Sequence, residues 1–159
     1  MAATPEEVAL ELSRATFEAQ RQAEVKLRKR ATNVLSAASL VVPVAAVAVG
    51  IKGSAEVAIP FGAAALAYIV CAKACCEVLF PKNFRTGIAG GEFLKAARDA
   101  KPPPNLEQAQ ATAASWLDKL HAQNQPTLRA AAVQVRKAID WLMLEIVAVA
   151  IALVVTLVV

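Results

Sequence analysis

Twenty-one consecutive residues, Ala31 to Ile51 (ATNVLSAASLVVPVAAVAVGI), carry no charge, and they follow directly on the basic cluster Lys26-Leu27-Arg28-Lys29-Arg30. The hydrocarbon core of a bilayer is about 30 Å thick and takes roughly 20 apolar residues of helix to cross. This run is long enough to span it, and the basic cluster marks the cytoplasmic end, with Lys29 and Arg30 as interface anchors. The expectation is a membrane protein, which sets soluble-enzyme readings aside before any motif is sought.

Composition points the same way. Apolar residues make up 57% of the 159, charged residues 19%, and the mean hydropathy is +0.48, whereas soluble domains average about 45 to 50% apolar and about 25% charged. A soluble chain this short has too little interior to hide that much apolar surface. The start, MAATPEEVALELSRATFEAQ, is acidic and polar, unlike the basic stub and short apolar core of a cleaved signal peptide. The first span is therefore expected to stay in the mature protein.

Two more spans follow. A short polar link, residues 52–56, precedes a second apolar stretch at residues 57–80, VAIPFGAAALAYIVCAKACCEVLF, interrupted only by Lys73 and Glu77. A link so short demands a tight helical hairpin. The third stretch, residues 141–159, is WLMLEIVAVAIALVVTLVV; only 14 uncharged residues follow Glu145. That is about 21 Å of helix, so spanning requires the turn from Trp141 to Glu145 to sit in the interface, with Trp141 as an anchor.

Charge fixes the orientation. Of 17 Lys and Arg residues, six precede residue 31 and nine lie between residues 81 and 140. This one-sided bias predicts a multi-pass membrane protein with residues 1–30 and 81–140 cytoplasmic and the C-terminus external. The net charge of +4 and the pI near 9.2 follow from that bias and from attraction to anionic head groups. No nucleic-acid partner is needed to explain them.

The cytoplasmic parts read as helix. Thr4-Pro5-Glu6-Glu7 offers a cap, a proline at the first helical position and a glutamate three residues after the cap. From there Val8, Leu12, Ala15, Ala19 and Ala23 recur at helical spacing and predict an amphipathic helix. No breaker separates it from the first span, so residues 5–51 read as one rod of about 70 Å that can bend at Pro43. Within residues 81–140, an irregular corner precedes a short helix from about Glu92 to Ala100, which the three prolines at 102–104 end. Asn105 caps a further helix, and Asn124-Gln125-Pro126 breaks or kinks it before the last span. The fold class expected is an all-α integral membrane protein: three transmembrane helices, an amphipathic N-terminal helix and a helical cytoplasmic insertion.

Motifs for chemistry are weak. Cys71, Cys75 and Cys76 have no histidine or second cysteine cluster at metal-ligand spacing, and a reducing cytosol disfavours a disulfide. They read as small membrane residues; palmitoylation is the other reading. His121, the only histidine, reads as solvated on a polar stretch. Gly87, Gly90 and Gly91 lack the GK[ST] ending of a phosphate loop and read as a tight corner. No catalytic, cofactor-binding or metal residues are nominated, and no enzymatic activity is expected.

Ionisable groups inside a membrane are costly and usually face protein or water. Lys73 is expected to pair with Glu145 or with Glu77, within one subunit or between subunits; snorkelling of Lys73 and Glu145 to the inner interface is the alternative. Small residues, Ala45, Ala46, Ala48 and Gly50 in the first span and Gly62 to Ala65, Ala67 and Ala72 in the second, permit close backbone approach. They point to a tight, homo-oligomerising hairpin.

The order of parts, together with the corner Pro81-Lys82-Asn83-Phe84-Arg85-Thr86-Gly87 and Asn124-Gln125-Pro126 before a terminal span, resembles the small bacterial SLATT-like membrane proteins. Those are associated with nucleotide-signalled antiphage conflict systems and proposed to act as membrane-disrupting or pore-forming effectors. The resemblance implies an oligomeric effector of the bacterial inner membrane, a soluble cytoplasmic sensor or nucleotide-signalling partner, Asn83, Phe84, Arg85 and Gly87 as the juxtamembrane corner, and no catalytic residues. A non-enzymatic membrane scaffold that recruits a soluble partner is the alternative. A phage holin fits less well, because the strongly charged C-terminal tail is missing.

Overall fold

The computed structural model describes residues 4–52, 55–81, 99 and 105–158; within these, the side chains of residues 6, 42, 45, 48–52 and 55–57 lie outside the description. Among the described residues there are three long α-helices and no strand: α1 (Pro5–Lys52), α2 (Ala55–Leu79) and α3 (Leu106–Val158). The expected short helix near Glu92 and the corner at 82–91 fall outside the described residues.

Local chemistry sets the starts of α1 and α3. Thr4 N–H donates to Glu7 Oε2 at 3.1 Å, and Glu7 N–H donates to Thr4 Oγ1 at 3.3 Å, the reciprocal pair that satisfies orphan donors at a helix N-terminus. Asn105 and Gln108 repeat it, with Gln108 N–H to Asn105 Oδ1 at 2.8 Å and Asn105 N–H to Gln108 Oε1 at 3.2 Å. Of the two alternatives at Pro126, a break or a kink, the break does not occur: α3 runs through it, as α1 runs through Pro43. Proline removes one backbone donor and costs about 3 kcal/mol in a helix interior. Packing of the helix on either side offsets that cost, since most helical stability in proteins comes from tertiary contact.

The chain divides into two compact units: Met1–Val25 with Lys82–Arg129, and Lys26–Pro81 with Ala130–Val159. In the first, α1 turns Leu10, Ser13, Phe17, Gln20 and Glu24 inward, at alternating spacings of three and four. In α3, Gln110, Ala114, Leu117, His121, Asn124 and Leu128 follow the same rhythm. A 3.5-residue repeat is the seam of a coiled coil. Ser13 Oγ donates to Asp118 Oδ1 at 3.0 Å and Gln20 Nε2 donates to the His121 carbonyl at 3.0 Å. Both contacts advance in the same sense along the two helices, so the pair is parallel.

This seam overturns the expected amphipathic face. Val8 and Leu12 are 54% and 65% exposed, and Ala15, Ala19 and Ala23 are exposed too, while Ser13, Gln20 and Glu24 are buried. The polar seam is held by the bonds that Ser13 Oγ and Gln20 Nε2 donate across it, while Gln20 Oε1 is buried without a hydrogen-bond partner. His121 is likewise a seam residue and half-buried, not solvated, with Nδ1 shut off from solvent.

The second unit is a bundle of three helices, α2 with segments of α1 and α3, around an apolar seam. Ala31, Ala38, Cys71, Ala74, Cys75, Val78, Val135 and Ala138 form one buried cluster, with Leu27, Leu35, Tyr68, Leu142 and others packed against it. Ala64, Ala148 and Val149 form a second, against Val41 and Phe61. Early α1 thus meets late α2, and late α1 meets early α2, so α2 runs antiparallel to α1. Close approach falls on alanine and cysteine: Ala31, Ala38, Ala67, Cys71, Cys75 and Ala138 are all fully buried. Within the chain Gly62 makes no such approach, since a Cβ there would meet nothing within 4 Å, and Ala46 and Ala63 are exposed.

Two helices, α2 over Ala58–Leu79 and α3, are long and apolar enough to cross a membrane, with mean hydropathies of 1.7 and 2.6 over their most apolar windows. Only 28% of each window is buried within the chain. The uncharged run Ala31–Ile51 is helical throughout as part of α1, but its final side chains, from residue 48 on, lie outside the description.

Candidate functional site

The polar chemistry of the three-helix unit lies in two places. The first is Glu145, which follows Ala138 and Leu142 along the α3 seam and precedes Val149. It is fully buried, and neither Oε1 nor Oε2 has a hydrogen-bond partner. Burial of an ionised carboxylate without a partner costs on the order of several kcal/mol. Its seam position aims it at the other helices. Of the pairings expected for Lys73, the one with Glu145 within the chain is not made, since Lys73 is exposed and the carboxyl oxygens accept no bond.

Near it, Cys71 Sγ donates to the Ala138 carbonyl at 3.3 Å, a contact that brings α2 against the α3 backbone. Cys71 and Cys75 are buried free thiols and Cys76 is exposed. Among the described residues no group of histidine, cysteine and carboxylate side chains could hold a metal ion.

The second place is a groove of about 350 Å³ between α2 and α3, lined by Val70, Lys73, Ala74 and Glu77 from one helix and Gln134, Lys137 and Trp141 from the other. Lys73 and Glu77 stand one helical turn apart, so they share a face. The groove thus brings together Lys73, Glu77 and Trp141, three of the residues the sequence nominated, and adds Gln134 and Lys137, which it did not. A helical-wheel signal for the pair existed: Gln134, Lys137 and Trp141 recur at three and four along α3. Which residues of α2 they would face is not written in either segment alone. Trp141 also packs against the main apolar cluster, while Lys29 and Arg30 are exposed at the start of the α1 part of the unit. Asn83, Phe84, Arg85 and Gly87 lie outside the described residues.

Among the described side chains of this unit, charge is therefore polarised. The described charged side chains belong to the start of its α1 segment, the end of α2 and the start of its α3 segment, the three ends that the Ala31–Val78–Val135 cluster draws together; Glu145 is the exception. The other end, around Val41, Ala64 and Val149, is apolar and its flanks carry Leu40, Val44, Ile59, Leu66, Ile151 and Val154 to the outside.

Compared with protein-family models, curated proteins and solved structures, the chain finds no match.

Proposed function

We propose that the chain is an oligomeric inner-membrane effector that perturbs or permeabilises the bilayer. Its spans are residues 31–51, 57–80 and 141–159, with the N-terminus cytoplasmic and the C-terminus external. The apolar flanks left outside the three-helix unit support residence in lipid, because an exposed surface of that extent needs a non-aqueous cover. The polarised charge supports the orientation.

The observation that carries the effector reading is Glu145, fully buried with both oxygens unbonded inside an apolar bundle. Intramembrane carboxylates usually face a partner or a water-filled path, and in a single copy this one has neither. A second packing, in which several copies turn Glu145 toward water, relieves that cost. The single-copy bundle is then the closed member of a two-state pair, and a signal need only bias the balance. Converting a population from 1:99 to 99:1 takes about 5.5 kcal/mol of differential binding by the signal. The likeness to SLATT-like proteins supplies the antiphage setting and a soluble sensor or nucleotide-signalling partner as the source of the signal.

The scaffold reading keeps one specific support, the exposed stripe of Val8 and Leu12 on the N-terminal helix, which a soluble partner could cover. Membrane-potential dye fluorescence after induction separates the two. The effector reading expects depolarisation by the wild type and its loss in Glu145→Leu. Unchanged potential at high expression, together with a stable soluble-partner complex, would reject the effector in favour of the scaffold.

A further inference from the structure

The groove between α2 and α3 has a composition that the effector reading does not use. Its two ammonium groups, Lys73 and Lys137, come from different helices, and Gln134 adds an amide donor beside Lys137. Glu77 contributes one carboxylate and Trp141 a flat, half-buried aromatic wall, with Val70 and the buried Ala74 as an apolar floor. Two lysines and one glutamate leave the lining with a net charge of +1, which a single phosphodiester neutralises. The volume, about 350 Å³, is at the lower end of the range for small-ligand sites, about 300 to 1,000 Å³.

We propose that this groove binds the head group of an anionic glycerophospholipid bearing free hydroxyls, the chemistry of phosphatidylglycerol. The phosphodiester lies between Lys73 and Lys137 with Gln134 donating to it. Glu77 accepts from the head-group hydroxyls, which a choline head group lacks. Trp141 and the apolar floor meet the glycerol backbone and the first acyl carbons, in keeping with the place of tryptophan at the membrane interface. Basic pockets between transmembrane helices on the cytoplasmic side are where such head groups dock. The site rests on the membrane residence and orientation proposed above, but not on permeabilising activity. By holding α2 to α3 at their cytoplasmic ends, a bound lipid favours the closed packing.

The test is native mass spectrometry and lipid titration of the full-length protein in detergent micelles, with dioleoyl phosphatidylglycerol, dioleoyl phosphatidylcholine and soluble glycerol phosphate as probes. Phosphatidylglycerol should bind at least tenfold more tightly than phosphatidylcholine. Lys73→Gln and Lys137→Gln should each weaken it about fivefold, the effect of one nearby basic residue, while Lys73→Arg and Lys137→Arg retain it. Lys119→Gln, an exposed lysine off the groove, should leave it unchanged. Equal binding of the two lipids, or no effect of either glutamine variant in a protein with an unaltered melting curve, would overturn the site. Displacement of the lipid by millimolar glycerol phosphate would assign the same phosphate chemistry to a soluble ligand and overturn the lipid assignment. Carbonate extraction of cell membranes keeps the two proposals apart. A chain that resists extraction yet shows no lipid preference refutes this site alone, and a chain that is extracted refutes the membrane reading beneath it.

Discussion

Ala138→Leu puts the close packing of α2 on α3 to a quantitative test. Ala138 is fully exposed to its neighbours and not at all to solvent, and its carbonyl accepts a bond from Cys71 Sγ at 3.3 Å. Leucine adds three carbons at a point where the facing side chains, Cys71 and Cys75, are themselves fully buried. Overpacking of this kind costs about 1 to 3 kcal/mol, a factor of about 5 to 150 in the folded-to-unfolded ratio. For a chain of this size that corresponds to a melting temperature lower by about 2 to 12 °C. Ala132→Leu, one face away and exposed, should change stability by no more than about 0.5 kcal/mol. Thermal melts of both variants in detergent micelles, read by circular dichroism, check the difference. Maleimide labelling of Cys71 gives a second readout, since pushing α2 off α3 should speed it. Equal melting temperatures for the two variants and unchanged labelling would refute the packing argument.

Glu145→Leu should raise the melting temperature of the bundle in micelles, because it replaces an unpartnered carboxyl by an apolar group of similar size; a lower value would show that Glu145 has a partner in the folded protein. Ser13→Ala should cost about 0.5 to 1.5 kcal/mol through loss of the bond to Asp118, and Asp118→Ala should cost no more in the Ser13→Ala background; additive losses would contradict the pairing. Asn105→Ala should cost about 1 kcal/mol by removing the cap on α3, seen as faster hydrogen exchange in the first turn of that helix; exchange unchanged from the wild type would count against the cap.

The helix starts were legible in the sequence because capping is local: Thr4 with Glu7 and Asn105 with Gln108 need only four consecutive residues. The apolar stretch of α2 was legible because it is nearly unbroken. The buried face of the N-terminal helix was not, since hydropathy selects Val8 and Leu12 whereas the seam is carried by Ser13, Gln20 and Glu24. Spacing held the signal that hydropathy concealed, a three-four rhythm running through polar residues. Glu145 was legible as an ionisable group within the last apolar stretch, but its place in the seam was not, since only its phase relative to Ala138 and Val149 turns it toward the other helices. Pro126 carries a strong local bias against helix that flanking contacts override. The groove needed the fold itself, because Lys73 and Lys137 are distant in sequence and only the pairing of α2 with α3 makes them neighbours.

The central claim is that lipid surrounds the three-helix unit. Nitroxide labels at Leu66, Ile69, Ile151 and Val154, all exposed on its outer face, test it in reconstituted vesicles by collision with oxygen, which partitions into lipid, or with a water-soluble nickel chelate. High oxygen and low nickel accessibility at all four positions, with the reverse at Val8 and Leu12, is the predicted result. Nickel accessibility at Leu66 and Ile151 equal to that at Leu12 would contradict it.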